Sequence, residues 1–367
     1  MKNTIGSQLT MTLFGESHGR AIGCVLDGLP AGMPVDMKLM EQMLAGRRPS
    51  GAGSTARKEQ DIPEIISGVK DGRTEGTPLM ILIANNDARR EDYDALKNIP
   101  RPSHADYTAH VKYLGYEDAS GGGHFSGRLT AVMTAAGAIC AGILRTKGIL
   151  IGTHIRRIGD VEDRPFSEDL ETDLTALNEM TFPVLDQNAS EQMRHMISEA
   201  AEEGDSVGGI LETCAMGIPA GIGEPAFDSL ESTIAHAMFS IPGVKGISFG
   251  TGFGLAGMKG SEANDPWALK DGRVISLSNH SGGINGGISN GMPIVYSLVL
   301  RPTPSIAKPQ KSVDLAKMEE TEITVHGRHD AAIVSRAGTV STAMCAFALL
   351  DAMIGRYGTL WFTGGEE

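Results

Sequence analysis

The stretch LTMTLFGESHGRAIGCVLDG, residues 9–28, sets two chemistries against each other. Gly15-Glu16-Ser17-His18-Gly19 fits the G-x-S-x-G pattern of a hydrolase nucleophile elbow. That elbow needs a strand, a sharp turn and then a helix. Residues 9–14 read as a strand. After Gly19, however, RAIGCVLDGLP carries β-branched residues and an Asp-Gly turn, the signature of a second strand. Two strands therefore flank the GESHGRA loop. Ser17 loses the context that would make it a nucleophile, and His18, set on a loop between glycines, becomes the residue of interest.

Working outward, Asp36 is placed to cap a short helix, MKLMEQMLA, that Gly46 stops. TPLMILIAN (77–85) reads as a buried strand. SGGGHFSGRLTAVMTAAGAICAGILRTKG (120–148) reads as a glycine loop running into a small-residue helix, ended by Gly148. Residues 154–190 read as peripheral polar structure. Asn188 can cap the helix that follows, which Gly204 ends. VGGILETCAMGIP, VKGISFGTGF, PIVYSLVL and TEITVHG read as strands, and residues 227–239 as a helix. A long helix is predicted over roughly 338–357, with Val340, Met344, Phe347, Leu350 and Ile354 at helical spacing. Clustered strands with long helices between them suggest α+β rather than regular βαβ alternation.

Bulk properties narrow the function. The chain has 367 residues, 41% of them hydrophobic, 47 glycines and a formal charge of -13. Length alone suggests about two domains. The acidic balance argues against nucleic acid or an anionic membrane surface as main partner, but allows a locally basic pocket for a small anion. Cys24, Cys140, Cys214 and Cys345 are scattered, with no C-x-x-C and no zinc spacing, so no metal is expected. They read as buried reduced thiols of a cytoplasmic protein. The N-terminus has no signal-peptide apolar run, and residues 129–144 are short for a membrane span.

Reactive side chains gather in five glycine- or arginine-bearing segments. RPSHAD supplies Arg101, His104 and Asp106. GGGHFSGR supplies His124, Ser126 and Arg128 where a helix begins, a place suited to an anion. NHSGGINGGISNG (279–291) carries two glycine pairs, GRHD supplies Arg328, His329 and Asp330, and the early polar loop holds Arg47, Arg48 and Arg57. Several such loops, without metal ligands, suggest an anion site, with phosphate the candidate anion. GTGFGLAG (250–257) holds a G-x-G-x-x-G spacing at Gly252, Gly254 and Gly257, but no helix obviously follows it, and it is set aside.

Taken in order, FGESHGRAIGCVLDGLPAG, RRPSG, RKEQD, SGVKDGRTEGTPLMILIAN, RPSHADYTAHVKYLGYEDASGGG, VKGISFGTGF, NHSGGINGGISNGMPIVYSLVLRPTPSI and GRHD resemble the chorismate synthase family, from the N-terminus to about residue 355. The resemblance implies one domain over 1–367, a β-α-β sandwich of sheets flanked by helices, and a homotetramer. It implies 1,4-elimination of phosphate from 5-enolpyruvylshikimate 3-phosphate to give chorismate, by a lyase that needs reduced FMN without net redox change. By the same resemblance, His18 protonates the leaving phosphate, His104 keeps the reduced flavin suitably protonated, and Asp330 matches the carboxylate near flavin N5. Ser126, Arg128, Gly243, Arg301, Ser305 and Arg328 match flavin contacts, and Arg47, Arg48, Arg57, Arg128 and Arg328 match substrate contacts. The chain has no separate nicotinamide-binding module for NAD(P)H, so an external flavin reductant is expected.

The chain departs from the family pattern in places. His124 stands for an arginine, Leu129 and Thr342 for glutamates, Pro242-Gly243 for Asn-Ala, and Arg301 for the more usual lysine. Two other functions stay open on the residues alone. One is a flavin- or anion-binding relative without catalysis; the other is a serine hydrolase using Ser17.

Overall fold

Strands Thr10–Gly15 and Ala21–Asp27 pair antiparallel, with Gly15 opposite Ile22, so the GESHGRA loop is the turn of a hairpin. Side chains alternate across it. Met11, Ile22, Cys24 and Leu26 are fully buried, whereas Thr10, Thr12 and Val25 on the other face are half-buried. Around this hairpin forms a five-stranded antiparallel sheet, in the order Thr4–Ile5, Thr10–Gly15, Ala21–Asp27, Leu79–Ala84, Pro63–Ser67. The structure is a computed structural model and describes residues 3–48, 61–85, 98–118, 120–325 and 330–364.

A second antiparallel sheet has the order Val244–Phe249, Ile294–Leu300, Gly209–Met216, Leu150–Ile158, Val161–Glu162. Helices Thr130–Arg145 and Val334–Tyr357 lie between the sheets and pack on each other, with helix Met37–Arg47 alongside. A Cβ on Gly137 would come 2.4 Å from the Ala343 carbonyl oxygen, so glycine there permits the close helix crossing. Helices Leu170–Glu179 and Gln187–Glu202 pack against the Leu150–Ile158 and Val161–Glu162 side of the second sheet. The result is the expected α+β sandwich, sheet, helices, sheet, with further helices flanking it. Two helical stretches, 127–145 and 334–357, are long and apolar enough to cross a membrane. They are 89% and 83% buried inside the fold and serve as its central helices, the first being longer than the 129–144 run suggested.

Several local expectations change. Helix Met37–Arg47 is capped by Asp36, whose carboxylate accepts from Leu39 N–H, but it runs through Gly46 instead of stopping there. Gly46 faces Thr339 of the last helix, where a Cβ would lie 2.7 Å from Oγ1. Asp186, not Asn188, caps Gln187–Glu202 by accepting from Ala189 N–H at 2.8 Å. The last helix begins at Val334, four residues earlier than predicted. Helix Leu230–Met238, capped by Ser229, replaces the longer one expected over 227–239.

Residues 154–190 are not all peripheral. His154 is fully buried in strand Leu150–Ile158. Its Nδ1 lies 2.6 Å from Asp163 and its Nε2 3.0 Å from Glu212. Asp163 also accepts backbone N–H groups of Leu185 and Asp186, pinning the following segment to the sheet. Burial alone would lower the His154 pKa, but the bonds and charges of Asp163 and Glu212 outweigh it and raise it. A raised folded-state pKa gives stability that is full below the unfolded value, about 6.5, and lost as pH rises through the folded value. The melting temperature should therefore fall above about pH 6.5, by roughly 2–4 °C for each kcal/mol lost. His154→Gln should flatten that slope in a pH series of thermal melts; an unchanged slope would remove the imidazolium from this role.

Candidate functional site

The elements converge at one end of the sandwich. The central helices Thr130–Arg145 and Val334–Tyr357 both begin there, so two positive helix ends face the same space. Strand Ile294–Leu300 ends there and strand Val244–Phe249 starts beside it, tied by Arg301 N–H donating to the Gly243 carbonyl at 2.9 Å. Together these ends enclose a cavity of 680 Å³. That volume suits a small-molecule or cofactor site.

The lining carries Arg47, Arg101, Arg128, Lys245, Arg301 and Arg336 against two carboxylates, Asp61 and Asp330. Six cations less two anions leave an excess of four, in a chain whose formal charge is -13. Leu13, Met133, Ile241, Val244, Ile333 and Val340 give it apolar walls. The cavity therefore suits a ligand with an apolar body and several negative charges. Thr303 Oγ1 borders it, buried and without a hydrogen-bond partner among the described residues.

Of the predicted site residues, His104, Ser126, Arg128, Gly243, Arg301, Ser305, Asp330 and Arg47 line this cavity. His18 lies one layer behind it, 3% exposed. The Gly121-Gly122 pair separates the two imidazoles: a Cβ on Gly121 would lie 2.1 Å from His18 Cε1, and one on Gly122 3.2 Å from His104 Cε1. Both glycines have positive φ, 62° and 97°. Glycine is thus required twice over, for conformation and for the approach of the rings. Arg48 is the C-cap of helix Met37–Arg47 and is not among the lining residues. Arg57 and Arg328 lie outside the described residues.

Ser17 is 2% exposed and sits in the hairpin turn, with no helix following it. Its Oγ–H donates to the Ser120 carbonyl at 3.1 Å, so it can only accept from His18 Nδ1, 3.0 Å away. This is a tether for the imidazole, not a nucleophile elbow.

Side chains that the motifs did not single out organise the arginines. Asp61 is buried and held at φ 46°, a left-handed conformation that aspartate tolerates better than most residues. One carboxylate oxygen bonds Arg47 at 2.6 Å and the other bonds Arg128. Arg47 also donates to Thr130 Oγ1 at 2.9 Å and to the Gly127 carbonyl at 3.2 Å. Arg128 Nε donates to Asn85 Oδ1 at 3.0 Å. Arg336 pairs with Asp330 and donates to the Arg47 carbonyl at 2.8 Å, linking the last helix to the first. Ser126 caps the turn before Arg128, accepting its N–H at 3.2 Å. On the opposite wall Arg101 reaches Ser305 Oγ at 3.3 Å.

The departures are accommodated within the fold. His124 Nδ1–H donates to the Gly15 carbonyl at 2.9 Å. Thr342 joins a buried hydroxyl chain: its Oγ1 lies 2.8 Å from Thr153, which lies 2.8 Å from Thr213, which lies 2.9 Å from Ser341.

Comparison with known proteins decides the family. A family model described as chorismate synthase matches residues 9–354. The chain belongs to the chorismate synthase family. Similar relatives include the chorismate synthases of Thermococcus kodakarensis, 44% identical over 96% of this chain and 97% of that one, and of Methanobrevibacter smithii, 43% identical with the same coverage. A crystal structure of a chorismate synthase superposes with a TM-score of 0.76 at 28% identity, covering 96% of this chain and 94% of the other.

Proposed function

We propose that this chain eliminates phosphate from 5-enolpyruvylshikimate 3-phosphate in the 1,4 sense, as a lyase that uses reduced FMN and yields chorismate. The observation that carries this reading is the single cavity. It gathers an excess of arginine and lysine, an imidazole and a carboxylate on apolar walls, in a chain of this family. Substrate and cofactor together bring two phosphates and two carboxylates, which could not be buried without that counter-charge.

The residues present fit a flavin mononucleotide. Ile241, Pro242, Val244, Ile333 and Val340 offer an apolar face, while Arg301, the orphaned Thr303 hydroxyl and Ser305 offer partners for its phosphate end. Bound reduced FMN supplies electron density to the substrate ring without net redox change. The protein does the rest. Arg128 and Arg336 orient the anionic substrate. His18, behind Gly121, delivers a proton to the departing phosphate. His104 takes up and returns a proton at the cavity wall, and Asp330 receives the proton lost from the substrate ring. Closure of the site around the substrate strengthens each of these interactions.

Residues 1–367 act as one unit in this reading, since buried side chains from Leu9 to Phe362 belong to one cluster. A cytoplasmic homotetramer fits as well. Trp267, Leu269, Val274 and Leu277, 56–79% exposed on and beside the hairpin of Trp267–Lys270 and Arg273–Ser276, would then be covered, and the four buried thiols would stay reduced. The reductant for FMN is external. Anaerobic assay with dithionite-reduced FMN tests the reading: chorismate should form with reduced flavin and not with oxidised flavin. FMN binding without product would make the chain a non-catalytic relative.

A further inference from the structure

We propose that Asp106 is a positioning residue for His104: clamped by Arg101, its carboxylate fixes the imidazole with Nδ1 protonated, so that Nε2 is the working nitrogen. The proposal rests on the catalytic role given to His104 above.

The geometry is specific. His104 Nδ1 lies 2.5 Å from Asp106 Oδ1. Arg101 grips the same carboxylate twice, Nε to Oδ2 at 2.8 Å and a terminal nitrogen to Oδ1 at 2.8 Å, and its backbone N–H donates to Oδ2 at 3.0 Å. Arg101 also lies 3.1 Å from His104 Nδ1 and could in principle donate to a bare ring nitrogen. That arrangement would set a lone pair against a carboxylate oxygen 2.5 Å away. The ring nitrogen therefore carries the proton and Asp106 accepts it. Burial alone would raise the Asp106 pKa, but the bonds and charges of Arg101 and His104 hold it well below the ordinary carboxylate range, so it remains an acceptor.

Nε2 has no hydrogen-bond partner among the described residues, and it lies 3.4 Å from where a Cβ on Gly122 would be. Asp106 itself does not line the large cavity, whereas His104 does. Its effect on the reaction thus passes through the imidazole.

Asparagine at position 106 should reverse the arrangement. Oδ2 accepts two N–H groups of Arg101, so the amide oxygen would stay there and the NH2 would face His104. The imidazole would then have to accept at Nδ1 and carry its proton on Nε2, the wrong tautomer for its role. The test is 15N magic-angle-spinning spectra of 15N-histidine-labelled full-length protein, with the His104 signals assigned by their loss in His104→Gln. The expected result is Nδ1–H in the wild type and Nε2–H in Asp106→Asn. Turnover with reduced FMN in Asp106→Asn should fall roughly 10²-fold or more, mainly in kcat. The double variant should be no slower than His104→Gln alone, because residues acting as a unit are not additive. An Nε2–H wild type, an unchanged tautomer in Asp106→Asn, or additive losses would overturn the proposal. Full turnover in His104→Gln would instead overturn the catalytic role of His104, while the spectra still decide how the ring is oriented.

Discussion

His18→Ala should lower turnover by roughly 10²–10⁴-fold, the range general acid catalysis commonly supplies. The imidazole is buried at 3% exposure and held by a chain in which Nδ1–H donates to Ser17 Oγ and Ser17 donates to the Ser120 carbonyl. That tether spends Nδ1 on position, so in the proposed reaction Nε2 is the nitrogen left to deliver the proton. Losing that hydrogen bond is worth about 1 kcal/mol, or about 2–4 °C of melting temperature. Gly121→Ala should slow turnover in the same way without removing a titratable group, because its Cβ would lie 2.1 Å from His18 Cε1 and displace the ring. Anaerobic steady-state rates with reduced FMN, alongside thermal melts, check both. Near-normal rates in His18→Ala would take the proton-donor role from this residue.

Asp61→Ala should cost about 3–5 kcal/mol of stability, because it removes the buried carboxylate that bridges the like charges of Arg47 and Arg128. Arg47, Arg128 and Asp61 are 3%, 4% and 4% exposed, so solvent cannot take over the carboxylate's place. At roughly 2–4 °C per kcal/mol the melting temperature should fall by about 6–20 °C. The double variant Asp61→Leu with Arg47→Met should regain part of that loss, since a buried ion pair can be replaced by apolar groups at little cost. It should not regain substrate affinity, because the Asp61 carboxylate that helps orient Arg128 would still be missing. Thermal melts and KM for the phosphorylated substrate separate the two effects. A single Asp61→Ala variant that melts like wild type would show that the clasp is not structural.

What was legible in the sequence follows from range. The Thr10–Gly15 and Ala21–Asp27 hairpin was readable because alternation and a turn signal are local, and its presence in the structure then removed the elbow reading of Ser17. The arginines, His104 and Asp330 were readable as chemistry-bearing loops, and the family resemblance joined them. Asp61 was not, because its meaning comes from Arg128, 67 residues away. Arg336 was missed for the same reason; it sits on a helix but bonds Asp330 and the Arg47 carbonyl. Gly46 misled because glycine normally ends helices, whereas here it makes room for Thr339. The 154–190 segment misled because His154 and Asp163 look like surface residues until the partners that bury them are seen.

In the proposed reaction one cationic cavity carries out elimination without net redox change. A single anaerobic turnover tests it most directly: enzyme with reduced FMN is mixed with 5-enolpyruvylshikimate 3-phosphate, and inorganic phosphate, chorismate and flavin absorbance are followed together. Phosphate and chorismate should form in equal amounts while the flavin ends as reduced as it began. Flavin oxidised in step with product, or phosphate released equally well without flavin, would contradict it.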